Sequence, residues 1–354
     1  MKRTFLCLLA CFPFLLTGCS TNPVTGKNEI SLISTEQELA IGKKNYQSYR
    51  QAQGGDYVTD PGIQKYVASV GQRIAKVSDR KLPYEFKVLN ESVPNAWALP
   101  GGKIAINRGL LVELESEAEL AAVLGHEIVH AAAKHSAQGM QRGLLLQSAL
   151  IASSIALSDY EYRQLALTGA QLGAGMVNQK YGRDAEREAD YYGMKYMNRA
   201  GYNPAKAVNL QQTFLRLSKD KQSNWLTGLF ASHPPSDERV QNNQQTLAEL
   251  GNPQGETGEK TYKSKIARLI TTKPAYEAFD KAETAYQDND YEKAITLVDK
   301  AIKIEPKEAL FQGLKGEILA AQGNKKTAKK YLDKAVALNP DYFRFYLARG
   351  FVNR

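Results

Sequence analysis

His126-Glu127-Ile128-Val129-His130 is the stretch from which the rest of the chain can be read. In an H-E-x-x-H pentapeptide the two histidines are four residues apart, so on a helix they leave the same face and can hold one zinc ion together. The glutamate between them is placed to take a proton from a water on that ion. Zinc brings the pKa of such a water from about 15.7 to roughly 7, which makes a nucleophile for a peptide carbonyl at neutral pH. The surroundings predict the helix. Ser116 and Glu119 have the spacing of a capping box, Ala118, Leu120, Ala121, Ala122, Val123 and Leu124 are mostly good helix formers, and Ile128, Val129 and Ala131 to Ala133 extend the apolar pattern. A helix this apolar is expected to be buried.

The third ligand separates the classes of zinc peptidase. A metzincin would need glycine at 133 and histidine at 136, where this chain has Ala133 and Ser136. His135 lies five residues past His130, about 140° round a continuous helix, and is expected at the surface. The alternative is a carboxylate from a second helix. Arg183-Asp184-Ala185-Glu186-Arg187-Glu188-Ala189-Asp190 puts Glu186 and Asp190 four apart on one face, suited to a ligand and a carboxylate that orients a zinc-bound histidine. Glu188 points about 200° away from Glu186 and is the weaker candidate. Taken alone, the same segment also reads as an exposed, charged helix start.

With these motifs in place, the chain resembles the zinc metallopeptidases of the CAAX prenyl protease type, in particular their periplasmic BepA/LoiP-like branch. The resemblance rests on His126, Glu127 and His130, then Glu186 with Ala189 and Asp190, and it spans roughly residues 22–250. Two further stretches carry it: Asn95-Ala96-Trp97-Ala98-Leu99-Pro100-Gly101-Gly102, and Ser232-His233-Pro234-Pro235-Ser236 with Arg239. It implies one zinc per chain on His126, His130 and Glu186, Glu127 as general base, and a histidine at the place of His233 as a reversible, inhibitory fourth ligand. The residues themselves leave His233 open between that role and a structural loop histidine, since Pro234 and Pro235 hold it in an extended or turning segment. Asn95, Ala96, Gly101 and Gly102, with the alternating Lys103 to Asn107, read as an exposed edge strand beside the zinc, able to pair with an extended substrate.

At the other end of the chain, Lys2 and Arg3 precede an apolar run from Phe5 to Leu16, too short to span a bilayer and built like a secretory signal. It closes on Leu16-Thr17-Gly18-Cys19, which is similar to a bacterial lipobox; that similarity implies cleavage before Cys19 and lipid on its sulfur, and Ser20 beside it favours the outer membrane. Cys7, Cys11 and Cys19 are the only cysteines, so the processed chain has none left for an internal disulfide. A second apolar stretch, Gly143 to Leu157, falls short of a membrane span and is expected to flank the cleft.

Composition breaks near Gly251 to Gly258. Beyond it Ala294, Ala301 and Pro306 recur 34 residues later as Ala328, Ala335 and Pro340, the small-residue and terminal-proline positions of a tetratricopeptide repeat, with Asp341 to Arg354 as a closing helix. Two repeats are few for a free solenoid, so the array is expected to pack on the preceding domain. Residues 260–354 hold 19 Lys and Arg against 12 Asp and Glu, so the repeats carry most of the chain's net charge of +9. No nucleic-acid motif is present.

The expected fold is therefore α+β: a mostly helical zinc-peptidase domain with a small sheet, followed by an all-α repeat domain. The expected layout is a signal peptide at 1–18, the peptidase at 19–250, a linker at 251–268 and the repeats at 269–354. The expected function is a zinc endopeptidase, lipid-anchored through Cys19 on the periplasmic face of a Gram-negative outer membrane. It would degrade unfolded or misassembled envelope proteins, with the repeats meeting substrates or the outer-membrane assembly machinery. The rival expectation is a non-proteolytic assembly chaperone with structural zinc, against which the intact Glu127 argues.

Overall fold

The structure is a computed structural model and describes residues 19–143, 145, 181–219 and 227–352. The signal segment and nearly all of the apolar stretch from Gly143 to Leu157 lie outside the described residues. Among the described residues, no helix is long and apolar enough to cross a membrane.

The chain starts as a hairpin, β1 (Cys19–Thr21) against β2 (Asn28–Ile30). Helix α1 (Thr35–Ala52) follows behind a full capping box, in which Ser34 and Gln37 each bond the other's backbone N–H. Asp60 caps α2 (Pro61–Ala75) and Pro61 takes its first position, where a missing N–H costs nothing. Ile63, Val67, Val70 and Ile74 form its buried stripe. Next come β3 (Glu85–Leu89), β4 (Ala96–Leu99) and β5 (Lys103–Asn107), in the spatial order β3-β5-β4, with β3 parallel and β4 antiparallel to β5.

This order corrects the expectation for the strand beside the zinc. β5 is the middle strand, paired on both sides, and the edge is β4, all of whose residues are buried rather than exposed. The Ala98 carbonyl accepts a hydrogen bond from Ser136 Oγ at 3.2 Å. Gly101 and Gly102 make the β4–β5 turn at φ +78° and +83°, with Gly101 pressed against α1, and do not line the cavity beside the zinc motif.

A short helix α3 (Arg108–Leu111) leads to α4 (Glu117–Ala132), which carries the zinc motif. The expected capping box is half formed: Ser116 accepts from the Glu119 backbone, whereas the Glu119 carboxylate turns back to the Glu115 N–H at 2.6 Å. Residues 135–143 form a separate helical stretch. Then come α5 (Arg183–Arg199), α6 (Ala205–Lys219), α7 (Thr227–Ser232) and α8 (Asp237–Glu249).

The rest is all helical: α9 (Glu259–Gln287), α10 (Tyr291–Ile304), α11 (Ala309–Ala321), α12 (Lys325–Leu338) and α13 (Phe343–Val352). The fold is thus mostly helical with small sheets, followed by an all-helical region. Ala294, Ala301, Ala328 and Ala335, the small-residue positions of the 34-residue period, are fully buried. Residues 259–268, expected to be linker, are instead the opening of α9, and Tyr262 and Ile266 bury themselves in the core there. Hydrophobic burial outweighs the polar composition that suggested a linker. The two regions are joined by Glu308, fully buried, which accepts from Asn90 Nδ2 at 2.8 Å, Thr59 Oγ1 at 2.7 Å and Tyr276 Oη at 2.7 Å.

Candidate metal centre

Helices α4 and α5 cross at two glycines. A Cβ on Gly125 would lie 3.3 Å from the Gly193 carbonyl oxygen, and one on Gly193 would lie 3.2 Å from the His126 nitrogen. The missing side chains let the two backbones approach closely, and that approach carries Glu186 onto the histidine face of α4. His126 Nε2 lies 3.0 Å from His130 Nε2 and 3.5 Å from Glu186 Oε2, and His130 Nε2 lies 3.2 Å from Glu186 Oε1.

His233 follows α7, at the bend before Pro234, its backbone N–H bonded to the Leu229 carbonyl at 2.8 Å. Its Nδ1 stands 3.2 Å from His126 Nε2 and 3.0 Å from Glu186 Oε1. His126, His130, Glu186 and His233 are all buried, and one donor atom from each lies within 4.8 Å of the other three. Donors bound tetrahedrally at 2.0–2.1 Å would sit about 3.3 Å apart. The separations seen, 3.0–3.5 Å, are those of a possible metal site, and two imidazoles with a carboxylate make a donor set that suits zinc.

Electrostatics agree. Burial opposes a proton on His126, but the Glu186 charge and the hydrogen bond to Asp190 outweigh it and lift its pKa to about 10. In the absence of metal, a proton thus supplies the positive charge these groups are arranged around. Burial pushes His130 well below the usual histidine range. Burial also works against ionised Glu186, yet the neighbouring His233 and His126 hold it well below an ordinary carboxylate.

Asp190 takes the place expected of it. Its Oδ1 accepts from His126 Nδ1 at 2.9 Å, which leaves Nε2 free for the site. Arg239, a motif residue to which the sequence assigned no task, grips Asp190 with Nε–Oδ2 and Nη2–Oδ1 contacts of 2.7 Å. Its Nη1 also stands 2.9 Å from Glu186 Oε2, without aiming an N–H along that line. Glu127 is 2% exposed; its Oε1 is 3.5 Å from His233 Nε2, and its Oε2 has no hydrogen-bond partner. Burial raises its pKa. Ala96 lines the same cavity of about 50 Å³, together with Glu127, His126 and His233.

Two residues escaped the sequence reading. Tyr181 stacks on the His130 ring at 3.8 Å between centroids and 20° between planes, and nothing in its local pattern marks it. His135, expected at the surface, is 2% exposed, with Nδ1 2.9 Å from His130 Nδ1. The 140° estimate assumed one continuous helix. In fact α4 ends at Ala132, and Lys134 adopts a left-handed φ of +62°, which swings His135 back towards His130.

Residues 61–247, more than half of the chain, match Peptidase family M48. The chain belongs to peptidase family M48. The resemblance drawn from the four motifs is borne out, and residues 279–350 of this M48 chain match a tetratricopeptide repeat. It is 30% identical over 260 residues to metalloprotease YcaL of Escherichia coli, covering 70% of this chain and 99% of that protein. It is 28% identical over 238 residues to the beta-barrel assembly-enhancing protease of Escherichia coli, covering 64% of this chain and 47% of the relative. Against the mitochondrial metalloendopeptidase OMA1 of Saccharomyces cerevisiae it is 26% identical over 258 residues, 68% of this chain and 73% of that one. The chain spans about half the length of the beta-barrel assembly-enhancing proteases it matches.

Proposed function

We propose that this chain is a zinc-dependent endopeptidase, held by lipid on Cys19 at the periplasmic face of the outer membrane, that degrades misfolded envelope and outer-membrane proteins. His126, His130 and Glu186 hold the zinc and Glu127 is the general base. The observation that carries this reading is the Glu127 carboxylate, buried beside the donors with one oxygen unpartnered. A site that only stabilised the fold would have no use for it. When bound, zinc supplies Lewis-acid polarisation and brings the pKa of water towards roughly 7. Glu127 takes the proton as water attacks the scissile carbonyl and returns it to the leaving amine; its raised pKa suits it to both steps.

In this reading His233 is an inhibitory cap. A catalytic zinc keeps one position open, and His233 Nδ1 stands where the fourth donor belongs. A cavity of about 50 Å³ holds a few waters and no peptide, so His233 and the segment carrying it must withdraw for substrate to enter. Location and substrate are supported by the lipobox-like Leu16 to Cys19 and by the printed name of the beta-barrel assembly-enhancing relatives. Peptidase and repeats divide near 250, with the connection confined to 251–258; the basic repeats dock substrate or assembly partners.

The test is digestion of casein by the zinc-loaded protein, by Glu127→Gln and by His233→Ala. Cleavage lost in the first variant and raised in the second is expected. Cleavage by Glu127→Gln at the wild-type rate would overturn the assignment of the base. Binding of unfolded protein should survive Glu127→Gln, because the repeats carry it.

A further inference from the structure

The two motif histidines are oriented by different devices. His126 hands its Nδ1 proton directly to a carboxylate, Asp190. His130 has no carboxylate on that side; its Nδ1 faces the Nδ1 of His135 at 2.9 Å, and His135 Nε2 lies 3.2 Å from Glu188 Oε2. Glu188 is held in turn by Lys27 Nζ, 2.7 Å from its Oε1. His130 is fully buried and His135 nearly so.

The proton positions follow from the geometry. Two facing nitrogens at hydrogen-bond distance must share a single N–H. If His130 uses Nε2 for the metal, its proton sits on Nδ1 and donates to a bare His135 Nδ1. His135 then carries its own proton on Nε2, aimed at the Glu188 carboxylate. Every donor meets an acceptor in this arrangement, and in no other with Nε2 of His130 on a metal.

The backbone around the relay is secured. The left-handed Lys134 is required for His135 to turn back. The Ala133 carbonyl, an orphan at the end of α4, accepts from the buried Asn22 Nδ2 at 2.9 Å and from Gln138 Nε2 at 3.2 Å. Tyr181 covers the other face of the His130 ring and bonds Ser136 Oγ at 2.8 Å, the residue next to His135.

We infer that His135, backed by Glu188, is a positioning residue that fixes the tautomer and ring orientation of the metal ligand His130, a carboxylate–histidine–histidine relay parallel to the direct Asp190–His126 pair. This rests on the metal reading proposed above. Residues that orient a metal-bound histidine are worth about 10- to 100-fold in metal affinity, and the relay should fall in that range.

Asn and Leu have nearly the same shape, and only Asn can place an acceptor where His135 Nδ1 lies. His135→Leu and His135→Asn are therefore compared in the purified full chain by competition for zinc with a chromophoric chelator, and by the visible absorption of the cobalt-loaded protein. His135→Leu should weaken zinc binding about 10- to 100-fold and shift the cobalt bands, while His135→Asn stays within a few-fold of wild type. Equal affinities for all three proteins, or equal losses in both variants, would overturn the inference. Should His135→Leu not fold, Glu188→Gln, at the more exposed end of the relay, decides: weakened zinc binding supports it and wild-type affinity refutes it. A wild-type protein that binds no zinc would instead bring down the metal reading itself.

Discussion

Arg239 and Asp190, 49 residues apart in sequence, meet as a buried, two-point ion pair with both contacts at 2.7 Å. The pair decides which nitrogen of His126 is free. With both Asp190 oxygens engaged by the guanidinium, Oδ1 is held at 2.9 Å from His126 Nδ1. Burial works against the charge on Asp190, but Arg239 outweighs it and keeps the carboxylate below its ordinary range.

Arg239→Met should therefore be costly twice over. Removing one partner of a buried pair costs about 3–5 kcal/mol, read as a lower midpoint in urea unfolding. Loss of the clamp should also reduce casein cleavage about 10- to 100-fold at saturating zinc. Arg239→Lys should restore part of the stability and little of the activity, because an ammonium cannot grip both oxygens. Full activity in Arg239→Met would refute the link.

Removing the metal should destabilise the fold around α4 and α5. Glu186 and Glu127 each leave a buried oxygen without a hydrogen bond, and a cation answers that charge. At zinc about a thousandfold above Kd, mass action adds about 4 kcal/mol. Calorimetry with and without a chelator should show a lower Tm without zinc, recovered on adding it back. Identical melting curves would contradict a bound ion.

The attachment of the repeats hangs on Glu308. Glu308→Ala strands the donors of Asn90, Thr59 and Tyr276 and removes the side chain that caps α11 through the Leu310 N–H. A single unsatisfied buried group costs about 1–3 kcal/mol, so a loss of about 3 kcal/mol is expected. Limited proteolysis should then cut between the two regions before either is degraded. A resistant, fully stable variant would show that burial by Tyr262 and Ile266 alone suffices.

Asp280 gives a pH signature on the same interface. Burial raises its pKa above the ordinary 3.8, with Glu91 and Glu277 adding to the effect and Ser92 and Arg108 opposing it. A carboxyl raised in the folded state stabilises that state at low pH, and the contribution is lost as pH rises through the folded value. At pH 7 the wild type carries the penalty of a buried charge, and Asp280→Asn does not. The variant should melt higher than wild type at pH 7, with the gap closing as pH falls towards 4. A gap independent of pH would rule out this account.

What could be read along the chain was what local spacing controls. His126 and His130 share a face because four residues span about one helical turn, and the same rule put Glu186 and Asp190 together. Asp60-Pro61 marked a helix start, and the alanine period marked the repeats. Each of these depends on neighbours within a few turns, or on a repeated unit.

The misreadings have the opposite character. Nothing in Lys103 to Asn107 says that a third strand, β4, will lie outside it and take the edge. Nothing in Ala133-Lys134 says that a non-glycine residue will adopt a left-handed φ, a strain met by the Asn22 side chain 111 residues away. The relay through His135, the clamp of Arg239 on Asp190 and the seat of Glu308 against Asn90, 218 residues apart, are long-range contacts. By itself the sequence determined the chemistry, the donor types and the helices that carry them. Only the tertiary structure decided which second partner each donor received, because a side chain's hydrogen-bond partner in a buried site is set by how whole elements pack and not by the periodicity of its own.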